Sequence, residues 1–512
     1  MSTHSAMLPL LSKDAFSLNR HRALFAEYAI SSNGFLPENA PLAELSDPYY
    51  GPWESLIAEL PGSIENRTVR DKVDRLPLLS ADHLSTVVEW RRAYVILAFI
   101  AHGYIWGGDM PSEVLPPSIT VPLLRASGRL GLPPVATFAS LNLWNFRSSN
   151  PTLGFADLDS LHALHTITGT EDESWFLMVS VAIEAQGAYM IPAMLDALDA
   201  AKEGDFAAVA HALREMARCI GRIAALLERM DDRCRPAVFY HRVRPLLAGS
   251  WNMADAGLPR GVFFDEGHGR GAWRQLRGGS NGQSSLIQFI DLVLGVEHTS
   301  CGNDTATAAK TEPPATAATM LSPSRSSNCP RGRGEGFHAE VRAYMPDPHR
   351  RFLDHVSRIR PGGIRQAIAD LRAAAAGKAE NYSPGGANPI APGELTQLQE
   401  AFQAATRAMA ALRNKHLQIV ARYIIVPARQ PPPPAVCPMG SAGGNVSTGV
   451  VNLATASWRK TAAAAAAAAE AKDGKLYSAE LDLLKLTGTG GTALLPFLKQ
   501  ARDETFRAGE MV

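Results

Sequence analysis

A single histidine stands where an apolar residue is expected. Between Gly393 and Pro427, the residues Leu395, Leu398, Phe402, Ala405, Met409, Leu412, His416, Ile419 and Tyr423 recur at intervals of three and four. That spacing puts side chains on one face of an α-helix. A neutral imidazole on such a wall is what a proximal haem ligand needs, and the flanking aliphatic side chains can pack the macrocycle. The same pattern also suits a core histidine whose hydrogen bond is satisfied, and periodicity does not choose between them. Arg413 lies one turn earlier on nearly the same side, either as counter-charge to a haem propionate or as an arginine solvated at the helix edge. Glu394 and Glu400 near the start, with Arg413, Lys415 and Arg422 toward the end, complement the helix dipole, and Pro427 is expected to stop the helix.

Other residues invite chemistry more weakly. Thr170 with Glu173 has the form of a capping box, and the helix it opens places Phe176, Ser180, Ile183 and Gly187 on one face. A lone hydroxyl there is usually bonded back to its own helix. Gly187 and Pro192 suit close packing and a kink, respectively. In VFYHRVR, Phe239 and Arg244 stand five residues apart, about 140° around an α-helix, so they need not share a direction. Asn142, in TFASLNLWN, can cap the turn that follows it. Gly278-Gly279-Ser280-Asn281-Gly282 fits the G-x-S-x-G pattern of a hydrolase elbow, but that motif needs a buried strand before it, and GRGAWRQLR reads as having no strand character. Asp291 interrupts an apolar helix. Thr487 to Thr492, TGTGGT, lacks the Lys-Ser/Thr ending of a nucleotide-binding loop.

The elements that must position these groups are helical almost throughout, with no convincing series of alternating strand segments, so the fold class is all-α. At 512 residues the chain is long enough for roughly two domains and a sizeable buried pocket. Residues 1–157 form a first, proline-punctuated unit and 158–512 a second. Two segments, about 299–336 and 429–473, are poor in large apolar residues and are expected to be poorly ordered insertions; the second holds four consecutive prolines and an eight-alanine run. Basic and acidic residues balance at 50 each, which argues against a nucleic-acid partner or an anionic membrane surface. Five scattered cysteines show no metal-like spacing and fit a reducing cytosol. The best apolar stretch, Tyr94 to Trp106, is interrupted by His102 and Gly103 and reads as a core helix; with no signal-like N-terminus, a cytoplasmic protein is expected.

Five segments, in order, carry a resemblance: LPLLSADHL from Leu76, GGSNGQSS from Gly278, YMPDPHRRFL from Tyr344, LRNKHLQIVARYIIVPA from Leu412 and TGTGGT from Thr487. They closely resemble the indoleamine 2,3-dioxygenases, and the likeness extends over most of the chain outside the two insertions. The resemblance implies one haem b in the larger C-terminal domain with His416 as iron ligand, and a smaller N-terminal domain covering the distal pocket. It further implies substrate contacts from Phe138, Phe239, Tyr240, Arg244, Ser280, Asn281 and Thr489, with Phe176 packing on the indole and Ser180 as the polar group near O2. Arg413, Gly279, Ser280 and Asp291 would serve the haem, Asp291 by pairing with Arg413. Phenylalanine is commoner at the place of Tyr240, and Leu141 and Asn142 depart from small or apolar residues. The implied reaction adds both atoms of O2 across the indole C2–C3 bond of L-tryptophan, or another indoleamine, to give N-formylkynurenine, with a reductant keeping the iron ferrous. No histidine lies between Trp175 and Met190, unlike the distal pocket of tryptophan 2,3-dioxygenase. The alternative is a haem sensor or storage protein of the same fold with little turnover.

Overall fold

The computed structural model describes residues 19–298, 337–375, 392–430 and 494–510. Nearly all of residues 299–336 and 429–473, together with Thr489, lie outside them. The class is all-α, and each main helix has a local cause. The helix Val87–Trp106 starts with a complete capping box, in which Thr86 accepts from the Glu89 amide and Glu89 accepts from the Thr86 amide. From Ala93 to Ile100 it is inaccessible to solvent, so the Tyr94–Trp106 stretch is the core helix expected. Helix Pro392–Val420 lies along Phe206–Glu228 and against the C-terminal helix Leu494–Glu510. Its stripe residues Leu398, Phe402, Ala405 and Met409 are fully buried, each contributing about 1.5–3 kcal/mol of apolar burial where the side chain is large. One connected apolar core runs from Phe25 to Ala508. The stretch Glu171–Glu203 is long and apolar enough to cross a membrane, but 67% of its most apolar window is buried inside the protein.

Two small sheets were not foreseen. Strand β1 (Val114–Leu115) pairs in parallel with β4 (Val262–Gly267), which pairs antiparallel with β5 (Arg270–Arg274); β2 (Phe146–Ser148) and β3 (Leu161–Ala163) form an antiparallel pair. Strand β5 therefore overturns the reading of GRGAWRQLR as without strand character. It is an exposed edge strand, with no buried face to leave an alternating pattern in the sequence. A hydrolase elbow still lacks its buried strand.

Three π-helical turns occur among the described residues: Ala139–Leu143, Phe239–Val243 and Ala421–Ile425. The last two stand just before Pro245 and Pro427. A proline inside an α-helix collides with the carbonyl four residues back and lacks an N–H, whereas a wider i→i+5 turn relieves the collision. Pro427 consequently does not stop the long helix, which continues through its π turn to Ala428.

Candidate active site

The long helix stops being a pure packing element at Met409. From there on, Met409, Leu412, Arg413, His416, Ile419 and Tyr423 face a cavity closed on the other sides by the cap helix Glu171–Gly187, the end of helix Phe206–Glu228, the segment from Phe138 to Asn142, the stretch from Phe239 to Leu247, the loop from Arg277 to Ser284, and the C-terminal helix. The cavity leaves about 280 Å³ for the centres of water-sized molecules. Because that volume counts only centres, the space out to the surrounding atoms is larger, in the range of a cofactor or ligand pocket.

His416 is partly accessible, and its open face is the cavity wall. Its ring makes no hydrogen bond with the described residues, so the satisfied core histidine weighed above does not describe it. Burial, reinforced by the Arg413 charge, pushes its pKa down to about 4, which leaves a neutral imidazole with a lone pair to offer. Among the described residues no group of three or more His, Cys, Asp or Glu is placed to hold a metal ion.

Beside it, Arg413 donates to both oxygens of Asp291 at 2.9 and 2.6 Å, the partnership expected from the sequence. Asp291 itself stands behind the cavity wall. Its Oδ2 also meets His298 Nε2 at 3.1 Å, and His298 Nδ1 meets Glu504 Oε2 at 2.8 Å. Burial opposes charge on His298, but the two carboxylates outweigh it and its pKa is raised. Arg413 also donates to Thr505 Oγ1. This chain of polar contacts ties the long helix, the helix Ser285–Leu294 and the C-terminal helix together. His298, Glu504 and Thr505 carried no signal in the sequence, because their partners are remote in the chain.

On the facing wall, Thr170 caps the cap helix by accepting from the Glu173 amide at 3.2 Å. The box is only half formed: the Glu173 carboxylate reaches past Thr170 to the amides of Ile167 and Thr168. Phe176, Ser180 and Ile183 line the cavity, while Gly187 faces Leu286, whose Cδ2 would lie 2.3 Å from an added Cβ. Ser180 is not bonded back to its own helix; its Oγ donates to Asn281 Oδ1 across the pocket at 3.3 Å. One turn on, Glu184 accepts from Ser284 Oγ at 2.5 Å, and its other oxygen has no partner among the described residues. Burial pushes its pKa up to about 7. Glu184 was passed over in the sequence, although it breaks an apolar face much as His416 does.

Phe239 and Arg244 both line the cavity, because the π turn between them brings residue i+5 above residue i. The Phe239 ring packs 4.7 Å from Phe176 and 5.8 Å from Tyr423, centroid to centroid. Tyr240 corrects the sequence reading: it is fully buried and outside the lining, since the wider turn rotates it behind the wall. There its ring lies 5.4 Å from the Arg244 guanidinium carbon. Burial lowers the Arg244 pKa from its very high ordinary value, and the group stays cationic.

The loop Gly278–Ser284 is held by Gln283, which donates to Gly278 O at 2.9 Å and accepts from the Phe138 amide at 2.8 Å. A Cβ at Gly278 would lie 2.4 Å from Leu247 O, and one at Gly279 would lie 2.3 Å from Leu141 Cδ1. The glycines thus answer first to close protein packing. Gly279, Ser280 and Asn281 all line the cavity. Asn142 does not cap its own turn; its Nδ2 donates to Leu177 O in the cap helix at 2.9 Å. Phe497, Leu498 and Ala501 of the C-terminal helix complete the wall and were not foreseen.

The family model for indoleamine 2,3-dioxygenase matches residues 24–508. An indoleamine 2,3-dioxygenase of Aspergillus candidus is 34% identical, covering 95% of this chain and 98% of that protein. One of Saccharomyces cerevisiae is 35% identical, covering 95% and 93%. A 6-hydroxytryptophan 2,3-dioxygenase of Fusarium equiseti is 33% identical, covering 93% and 95%.

Proposed function

The chain belongs to the indoleamine 2,3-dioxygenase family and is a dioxygenase of tryptophan-like indoles, and from that premise we propose that it holds one haem b through His416 and converts L-tryptophan to N-formylkynurenine. The observation that carries the haem assignment is the neutral His416 imidazole, without a hydrogen bond among the described residues, on the wall of a large apolar cavity. Among the described residues His416 is not part of a protein cluster that could complete a metal site by itself, which suits an iron that would come with a porphyrin. Arg413, steadied by Asp291, supplies positive charge for a haem carboxylate, and Ser280 a hydroxyl, beside the glycine-built loop.

When bound, the haem iron supplies the redox chemistry that lets O2 react with the indole. The protein supplies position and dryness. Phe138, Phe176 and Phe239 hold the aromatic ring, and Arg244 fixes the substrate carboxylate, which the deep burial of its guanidinium strengthens. Ser180, anchored toward Asn281, is the polar group at the reacting bond. No histidine lies between Trp175 and Met190, so the reading uses no histidine base there. Tyr240 acts on substrate only through Arg244, and Thr489 keeps the substrate-facing role that the resemblance implies. Ring-substituted tryptophans fall within the substrate range, given the named activity of the Fusarium relative.

The same reading makes residues 1–157 the cover of the pocket, contributing Phe138 and Asn142, and 158–512 the haem-binding unit. It places the protein in the cytoplasm with a reductant as partner and neither membrane nor nucleic acid, consistent with balanced charge and the free thiols of Cys219 and Cys234. The test is to give the reduced, haem-loaded protein L-tryptophan under isotopically heavy O2. A product retaining both heavy atoms is expected; haem spectra with no product would point instead to a sensor or storage role.

A further inference from the structure

Asn142 is the one neutral amide on the cavity wall contributed by the segment from Phe138 to Asn142, and it is held in a single orientation. Its Nδ2 donates to Leu177 O at 2.9 Å, which identifies the amide edge facing the cap helix as the NH2 edge. The Oδ1 edge takes no hydrogen bond among the described residues, and the residue lines the cavity. Its neighbours in the lining are apolar: Phe138, Leu141 and Phe176. The charged lining groups, Glu184, Arg244, Arg277 and Arg413, come from other segments. An amino-acid head group therefore has Arg244 to seek, and the neutral acceptor is left for a neutral donor.

The neighbours on that wall say which part of an indole that donor belongs to: Phe138 and Phe176, assigned above to hold the aromatic ring, line the cavity with Asn142, so the ring rather than the head group meets its carbonyl. Resting on the dioxygenase reading above, we infer that Asn142 is a specificity-determining residue whose carbonyl accepts a hydrogen bond from a hydroxyl on the six-membered ring, making hydroxylated tryptophans preferred ligands of this pocket. A buried acceptor left unmatched by plain tryptophan costs affinity, whereas a matched hydroxyl regains it.

The test is calorimetric binding of L-tryptophan, 5-hydroxy-L-tryptophan and 6-hydroxy-L-tryptophan to the haem-loaded protein without O2, followed by KM and kcat for each with O2. Expected is roughly 3- to 30-fold tighter binding of at least one hydroxylated compound, seen in KM more than in kcat. In Asn142→Val the ratio of affinities for hydroxylated over plain tryptophan falls to about one. A wild-type protein that binds plain tryptophan tighter than both hydroxylated compounds overturns the inference, whatever the fate of the variant, and so does a preference that survives Asn142→Val. A protein that binds none of the three sinks the dioxygenase reading along with it, a result told apart by the missing tryptophan signal.

Discussion

Glu184 shows how a single buried group is governed by its surroundings. With Ser284 as its one partner among the described residues, burial pushes its carboxyl pKa from the ordinary 4.5 to about 7. Near pH 4 the group is neutral in both the folded and the unfolded chain. Between pH 4.5 and 7 the unfolded chain releases its proton first, so folding stability falls by up to about 3 kcal/mol and stays flat above pH 7. Glu184→Gln has no proton to lose: its melting temperature should match the wild type near pH 4 and exceed it at pH 8. A difference that does not change with pH contradicts this account. His416, Ser180, Asp291 and Glu184 share a trait that a sequence displays, a polar side chain breaking an apolar stripe. Three of them were legible for that reason. The Asp291–Arg413 pair was expected from the family resemblance, but the partners of Ser180 and Glu184 were not, because Asn281 and Ser284 reach them across 100 or more residues.

At the scale of elements, the π turns decide what enters the cavity. All three contribute to the wall, and two are accompanied by a proline that an ordinary α-helix would not tolerate at that place. Reading Phe239 and Arg244 on α-helical geometry left them 140° apart, and reading Pro427 as a terminator ended the long helix early; both misjudgements come from assuming 3.6 residues per turn. The helices themselves were legible from caps and stripes, and the exposed hairpin was not. Gly278 is a second element-level constraint, because its backbone passes that of Leu247 too closely for any side chain. Gly278→Ala should cost about 1–3 kcal/mol, since backbone rather than a flexible side chain must yield. Thermal melts of the variant check this, and an unchanged melting temperature would show that the loop gives way freely.

At the scale of the molecule, the pocket exists only because remote stretches converge: the segment from Phe138, the cap helix, the end of helix Phe206–Glu228, the π turn from Phe239 to Arg244, the glycine loop and the end of the long helix, closed by the C-terminal helix. The all-α class and the identity of the central helix were readable beforehand. The closing role of the C-terminal helix was not, as the contacts of Glu504 and Thr505 with His298 and Arg413 depend on tertiary assembly. The account's central claim is that this assembly presents His416 to a haem iron. Absorption spectra of wild type and His416→Ala, each titrated with haem, test it most directly. The wild type should bind one equivalent with the bands of a histidine-ligated haem, and the variant should melt normally yet bind haem weakly, recovering those bands when free imidazole is added. A folded His416→Ala protein that binds haem as tightly as the wild type, with an unchanged spectrum, would contradict the account.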